Sequence, residues 1–164
     1  MPSISSITIT KNGGAHIGEC LDSLAFCHER IVVDSGSTDG TVSIARAKGA
    51  KVSEHDWLGF GQQKNFALAL ASGDWILWLD ADEAVTPELA AAIKSAVERG
   101  DADGYQFSRL SWFCGRPMRH SGWHPDYVLR LFRRDKGRFT TNLVHEHVIL
   151  DGMVKRLPDR KSVV

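Results

Sequence analysis

Asp74-Trp75-Ile76-Leu77-Trp78-Leu79-Asp80-Ala81-Asp82-Glu83 is the stretch whose reading decides the fold. Trp75 to Leu79 is continuously apolar, with none of the alternation of a strand that has one wet face. Such a strand belongs in a largely parallel sheet covered by helices on both sides. Gly73 stands before it as a helix stop. Acids crowd its carboxyl end at Asp80, Asp82 and Glu83. Thr86-Pro87-Glu88 then reads as a helix start, with a hydroxyl N-cap, a proline at the first position and an acid in the first turn. That helix carries Leu89, Ala92, Ile93, Ala96 and Val97 inward and stops near Gly100.

Working back from this strand, the same alternation of elements appears. Leu58 to Ser72 reads as a helix with Phe66, Ala67 and Leu70 on one face. Ala50 to Glu54 reads as a short strand, set off by Gly49 from a helix over Val42 to Lys48. Ser37, Thr38 and Asp39 are the candidate caps of that helix. Arg30 to Asp34 is a buried strand ending in a carboxylate. Ile17, Leu21, Leu24 and Ala25 mark the first helix, and Ile4 to Thr10 is a β-branched first strand. The pattern β-α-β-α-β-α-β-α predicts an α/β, Rossmann-like sheet with helices on both faces. After residue 104 the character changes. Tyr105 to Phe113, Tyr127 to Arg134 and Val144 to Leu150 read as strands between Gly- and Pro-containing loops, a smaller mixed region. Asp151-Gly152 reads as a hairpin turn joining Val148-Ile149-Leu150 to Met153-Val154.

The chain of 164 residues suits one domain with a substantial core. Twenty Lys and Arg balance 20 Asp and Glu, so no net field draws the protein to nucleic acid. Three cysteines, Cys20, Cys27 and Cys114, have no metal-like spacing; their odd number argues against a disulfide framework and suits a reducing cytosol. No signal peptide is read at Met1-Pro2-Ser3-Ile4, and no apolar run approaches the roughly 20 residues of a membrane helix. The expected location is the cytoplasm, with attachment to a membrane surface through a partner or substrate left open.

In an open α/β sheet, ligands gather beyond the carboxyl ends of the strands. Asp34 stands there, and so do Asp80 and Asp82. Two carboxylates at i and i+2 beyond a buried strand suit one hard cation, magnesium or manganese, whose remaining positions go to water and diphosphate oxygens. Asp34 suits a nucleobase or ribose hydroxyl. Ser37, Thr38 and the N–H groups at the following helix start suit a polar ligand, although a capped tight turn explains the same residues. Among the aromatics, Trp57, Trp112 and Trp123 could stack on sugar faces, while Trp75 and Trp78 belong to the core. Arg130, Arg133 and Arg134 are candidates for a diphosphate or a phosphorylated acceptor, with ordinary surface charge expected for at least two of them.

Several stretches in order, SITITKN (residues 6–12), VVDSGSTDGT (32–41), QQKNFALALASGDWILWLDADE (62–83) and TPEL (86–89), resemble glycosyltransferase family 2. The later GWHPDYVLRLFRR (122–134), a Gly-Arg-Phe element and VHEHV (144–148) resemble bacterial members that add a hexose to the lipopolysaccharide core. The resemblance implies a GT-A fold and an inverting, metal-dependent transfer of a hexose from a UDP-sugar to a saccharide or lipid-linked acceptor. It implies that residues 1–103 form a nucleotide-sugar half and residues 104–164 an acceptor-side half of one catalytic domain. Residue by residue, Thr10 among Thr8 to Lys11 would flank the nucleotide, and Asp34 would meet uracil or ribose. Lys64 and Asn65 would line the donor site. Asp80 would sit near the ribose or donor sugar, Asp82 would hold the metal directly, and His145 would be a late metal ligand. Asp126 matches the place of the catalytic base, with Pro125 where relatives carry a first acid. Glu146 is its competitor. His120, His124 and His147 cluster near the same region, whereas His16, His28 and His55 are expected at the surface.

Two other readings stay open. A sugar-phosphate nucleotidyltransferase also uses a nucleotide, a metal and an α/β sheet, but its Gly-rich loop with Arg and Lys is not found in Lys11-Asn12-Gly13-Gly14-Ala15-His16. A non-catalytic nucleotide-sugar-binding fragment is the other. A phosphatase of the D-x-D type would carry its pair on the first strand, whereas this pair comes after the fourth, and no P-loop motif occurs. Oligomeric state, donor sugar and acceptor are not legible.

Overall fold

In the computed structural model, residues 1–109, 112–113, 116–117, 126–142, 145–157 and 162–163 are described. The first part alternates as β1 (Ile4–Thr10), α1 (Ile17–Ser23), β2 (Glu29–Asp34), α2 (Thr41–Ala47), β3 (Lys51–Glu54), α3 (Phe60–Leu70), β4 (Trp75–Trp78) and α4 (Pro87–Arg99). Strands follow: β5 (Gly104–Arg109), β6 (Trp112–Phe113), β7 (Arg116–Pro117), β8 (Asp126–Arg133), β9 (Gly137–Phe139), β10 (Val148–Leu150), β11 (Val154–Arg156) and β12 (Ser162–Val163). The main sheet runs β3-β2-β1-β4-β8-β5-β11, with β12 also on β5. β1, β2, β3 and β4 pair in parallel, and β8 lies antiparallel between β4 and β5. Among the described residues no helix is long and apolar enough to cross a membrane.

β4 is central and buried on both faces. Trp75, Leu77 and Leu79 pack with Cys20 and Leu24 beside α1 and with Leu89, Ile93, Ala96 and Val97 of α4. Ile76 and Trp78 face Ala67 of α3, Phe132 and Phe139. α2 joins α1 over Val32 through Ala45. The continuous apolar run therefore means what it predicts. α4 is closed as its sequence indicates: Thr86 Oγ1 accepts from Leu89 N–H at 3.2 Å, and Gly100 ends it at φ 59°. The N-cap of α2 is Gly40, with no side-chain cap, rather than one of the three candidates; Asp39 just before it accepts from the Thr41 N–H at 3.0 Å and from the Thr41 hydroxyl.

Three sequence readings change. α3 starts at Phe60 rather than Leu58, because Gly59 adopts φ 101°. Its inner face is mixed: Ala67 lies in the core with Phe66 packed against it, but Gly61, Gln63 and Lys64 are buried too and Leu70 is exposed. The Asp151-Gly152 hairpin does not form. β10 pairs antiparallel with β9, and β11 pairs in parallel with β5. Asp103 captures the chain just after the turn: its carboxylate accepts from Met153 N–H at 2.9 Å, and its own N–H donates to Met153 O at 2.8 Å. That anchor carries the next strand into the main sheet instead of back onto β10.

α3 lies against the segment after β9. A Cβ on Gly61 would fall 1.8 Å from the Thr140 carbonyl oxygen, so only glycine permits this approach. Asn65 completes the contact: its Nδ2 donates to Phe139 O and its Oδ1 accepts from Phe139 N–H, both at 2.9 Å. Phe139 is buried. Asn65→Ala should therefore destabilise the fold by about 1–3 kcal/mol, because it strands a buried donor and acceptor. Urea unfolding would measure this.

At the amino ends of the strands, Glu29 gathers Ser5 Oγ at 2.5 Å, Ser72 N–H at 2.9 Å and Lys51 Nζ at 2.8 Å. Burial pushes its carboxyl up, but Lys51, Ser5 and Ser72 hold the charged form and win, bringing it from 4.5 to about 2. A depressed folded value means that the contribution is complete above 4.5 and is lost as pH falls from there toward 2. Glu29→Gln should be less stable than wild type near neutrality, and the gap should narrow across that acid window. Thermal unfolding at several pH values checks it.

Candidate active site

The strand order places β2 on one side of β1 and β4 on the other, so a crevice opens beyond their carboxyl ends. A cleft of about 410 Å³ occupies it, lined by Ile9, Thr10, Lys11, Ser35, Trp57 and Phe60. Trp57 and Phe60 meet edge-to-face at 4.8 Å and remain about half exposed, at 49% and 51%. Large aromatics left open at a concave site are suited to a flat ligand.

The two loops beneath the cleft are stitched together. Asp34 is fully buried, and its carboxylate accepts from Gly36 N–H at 3.0 Å, Ser37 N–H at 2.9 Å and the Ser37 hydroxyl. Ser37 Oγ in turn accepts from Asn12 N–H at 2.7 Å, and Asn12 Oδ1 accepts from Thr38 N–H at 2.9 Å. Asn12 adopts φ 52° to make this bridge. Asp39 also accepts from Gly14 N–H at 3.1 Å. Asp34 and Ser37 thus shape the floor, and Thr10 lines the cleft itself. Thr10 Oγ1 is buried with no hydrogen-bond partner among the described residues. A Cβ on Gly13 would meet that oxygen at 2.5 Å and the Ala81 side chain at 3.6 Å, so the first loop reaches the Asp80–Asp82 turn.

That turn is held from several sides. Glu83 N–H donates to Asp80 O at 3.1 Å, and Asp80 N–H donates to Glu83 Oε2 at 2.9 Å. Cys20 Sγ donates to Asp80 O at 3.6 Å, and Val85 N–H donates to Ser23 Oγ at 3.0 Å, tying the turn to α1. Burial pushes the Cys20 thiol up to about 12, so it acts as a neutral packing group. Asp80 is half-buried and Asp82 exposed. Two carboxylates one residue apart on a fixed turn fit a divalent cation that draws its other ligands from a diphosphate and water. Among the described residues no three His, Cys, Asp or Glu side chains converge on a metal position, so His145 is not gathered with this pair.

Lys64 and Glu146 form a second cluster. Lys64 is buried on α3, and its Nζ meets Glu146 Oε1 at 2.7 Å and lies 4.1 Å from the Trp78 ring centroid. Burial raises the Glu146 carboxyl, but the Lys64 hydrogen bond and charge outweigh it and hold the group below its ordinary value. His145 is exposed at φ 61°, in the left-handed region that few non-glycine residues enter. Asn65 is engaged with Phe139 at both ends of its carboxamide. The backbone of Asp126 begins β8. Because β8 is antiparallel to β4, with Leu77 opposite Leu131, its start lies at the same end of the sheet as Asp80.

The arginines separate. Arg130 is buried and grips Glu83 with Nη1–Oε2 at 2.7 Å and Nη2–Oε1 at 2.9 Å. Arg133 and Arg134 lie opposite the amino end of β4, away from the acid pair; Arg133 meets Asp103 at 3.2 Å and Arg134 donates to Gly73 O at 2.7 Å. His55 is not a bare surface residue; it stacks on Phe66 at 3.9 Å. Trp123, His120, His124 and Cys114 lie outside the described residues, and nothing is described of the Trp112 side chain. The sequence reading missed Phe60, whose only signal is an aromatic beside Gly59 and Trp57. It also missed the pairing of Glu83 with Arg130, 47 residues apart.

The sequence model of Glycosyl transferase family 2 matches residues 5–156. The lipopolysaccharide core biosynthesis glycosyltransferase LpsC of Rhizobium meliloti (strain 1021) is 34% identical over 169 residues, covering 92% of this chain and 58% of that protein. The chain spans about half the length of the curated relatives it matches. Among solved structures, S. aureus TarS (residues 1–349) superposes with a TM-score of 0.68 at 22% identity, over 94% of this chain and 58% of the other. Glucosyl-3-phosphoglycerate synthase from Mycobacterium tuberculosis, solved with Mn2+, UDP and glucosyl-3-phosphoglycerate, gives a TM-score of 0.55 at 28% identity over 66% of this chain and 44% of the other. By the family match across nearly its whole length and by the architecture of its sheet, this chain belongs to glycosyl transferase family 2 and has the GT-A fold.

Proposed function

We propose that this chain transfers a hexose, glucose by preference, from a UDP-sugar to a saccharide or glycolipid acceptor, with inversion at the anomeric carbon. One observation carries the reading: the Asp80–Asp82 turn is fixed at the mouth of the sheet, against the loop that runs from Thr10 into the aromatic cleft. The similarity to LpsC supports an acceptor of lipopolysaccharide-core type. The M. tuberculosis structure with UDP and Mn2+ supports the donor class and the cation.

The nucleobase lies in the cleft against Trp57 and Phe60, above Thr10 and Lys11, while Asp34 and Ser37 hold the loop that forms its floor. Asp82, with Asp80 beside it, would hold a manganese or magnesium ion; when bound, that ion would supply electrostatic stabilisation of the departing diphosphate. His145, in the place of a late metal-ligating histidine, would be a further ligand in this reading. The acceptor hydroxyl attacks the anomeric carbon as the bond to the diphosphate breaks, and its proton passes to a carboxylate. Asp126, at the donor end of β8, is that base. Glu146 is less suited, because a carboxylate held by Lys64 is a weak proton acceptor. Residues 1–103 then form the donor half and residues 104–164 the acceptor side.

Asp82→Ala should lower UDP release from UDP-glucose with MnCl2 by on the order of a hundredfold or more. Pyrophosphate release from UTP and a sugar phosphate would instead assign a nucleotidyltransferase, and tight UDP-glucose binding without turnover a binding module. Asp126→Asn should keep UDP binding, followed by calorimetry, while removing transfer. The assignment of the base reverses if Asp126→Asn turns over normally and Glu146→Gln does not.

A further inference from the structure

Two ion pairs, Arg130–Glu83 buried and Lys64–Glu146 partly buried, meet at one tryptophan, and each contains a glutamate next in sequence to a residue of the proposed metal site. Glu83 follows Asp82, and Glu146 follows His145. Their cationic partners, Arg130 and Lys64, lie 4.3 Å and 4.1 Å from the Trp78 ring centroid. Lys64 is 5% exposed, Glu83 5%, Arg130 2% and Trp78 9%. The indole is fixed too: Nε1 donates to Leu129 O at 2.8 Å, one residue before Arg130, and its ring meets Phe139 edge-on at 5.8 Å. The chain of contacts runs Glu146–Lys64–Trp78–Arg130–Glu83–Asp80 and joins four separate elements of the fold.

Such a chain is a poor way to gain stability. The Arg130–Glu83 pair, and Lys64 on its side of the other, lose hydration that their attraction scarcely recovers, and apolar replacements of similar volume are often neutral or stabilising. What the chain does supply is geometry. The planar fork of Arg130 fixes both carboxylate oxygens of Glu83, and Glu83 Oε2 fixes the Asp80 N–H. At the other end, Lys64 fixes Glu146, next in sequence to His145 with its left-handed backbone.

We propose that Glu83, Arg130, Lys64 and Glu146, coupled through the Trp78 ring, are positioning residues that set the Asp80–Asp82 turn and the His145 segment in register for the donor diphosphate. This rests on the function proposed above. It assigns Lys64 and Glu146 to holding the site rather than to contacting the sugar or taking the proton.

The test replaces each pair by apolar residues, Glu83→Leu with Arg130→Met and Lys64→Met with Glu146→Leu, in the whole chain. Melting temperature and UDP-glucose turnover are measured, with turnover followed as a function of MnCl2. Positioning predicts that both double variants melt at or above the wild-type temperature. It also predicts that turnover falls on the order of tenfold to a hundredfold and that the MnCl2 concentration for half-maximal turnover rises. Arg130→Lys, which keeps the charge and loses the fork, should fold and show the same rise in MnCl2 requirement; it decides the matter if the double variant fails to fold. Folded variants with wild-type turnover and wild-type MnCl2 dependence overturn the inference. Wild-type protein that neither binds nor turns over UDP-glucose sinks the parent reading instead, so the two failures are distinct.

Discussion

The site depends on one constraint, that β4 is buried on both faces. A strand with Trp75 and Leu77 on one side, followed there by Leu79, and Ile76 and Trp78 on the other cannot shift its register or flip without exposing large apolar area on one face. The first residues able to reach water are those just past its end, Asp80 and Asp82. The acids are therefore presented at the sheet's mouth because the strand before them has nowhere else to go. α1 and α4 pack on one side of it and α3 on the other, and each contributes something to the crevice: α1 a grip on Asp80 O, α4 a rigid continuation of the turn, and α3 the buried Lys64.

Much of the polar chemistry around the crevice serves the protein's own backbone. Asp34, Ser37, Asn12 and Asp39 form a lattice that joins the loops after β1 and β2. Asn65 does the same between α3 and Phe139. These residues lie around the crevice, and their described contacts are internal. Their contribution is preorganisation: with loop N–H groups already satisfied and the floor fixed, a ligand entering beside Trp57 and Phe60 orders little that is not ordered already.

The charged interior has the same character. Arg130 looked like a surface or phosphate-binding residue because arginine usually is one. In the fold it lies opposite a buried glutamate, and its hydrogen bonds shape the turn carrying the acid pair. Lys64 on α3 explains why that helix has so weak an apolar pattern: its inward face carries Gln63 and Lys64, each with a partner, so hydrophobic periodicity alone pointed to Leu70, which faces solvent.

The alternation of strand and helix, the double-sided burial of β4, the capping of α4 by Thr86 and the place of Asp80 and Asp82 beyond a strand end were all determined by sequence alone. Each rests on contacts within a few residues or on the apolar pattern of one segment, and such information is local. The strand order, the insertion of antiparallel β8 between β4 and β5, and the departure of β11 to β5 in place of a hairpin were decided by tertiary structure. So were the partners of Arg130 and Lys64, 47 and 82 residues away along the chain. A carboxylate's partner at that separation is chosen by which strands become neighbours, and neighbour choice is settled by the summed burial of the whole core rather than by any one segment.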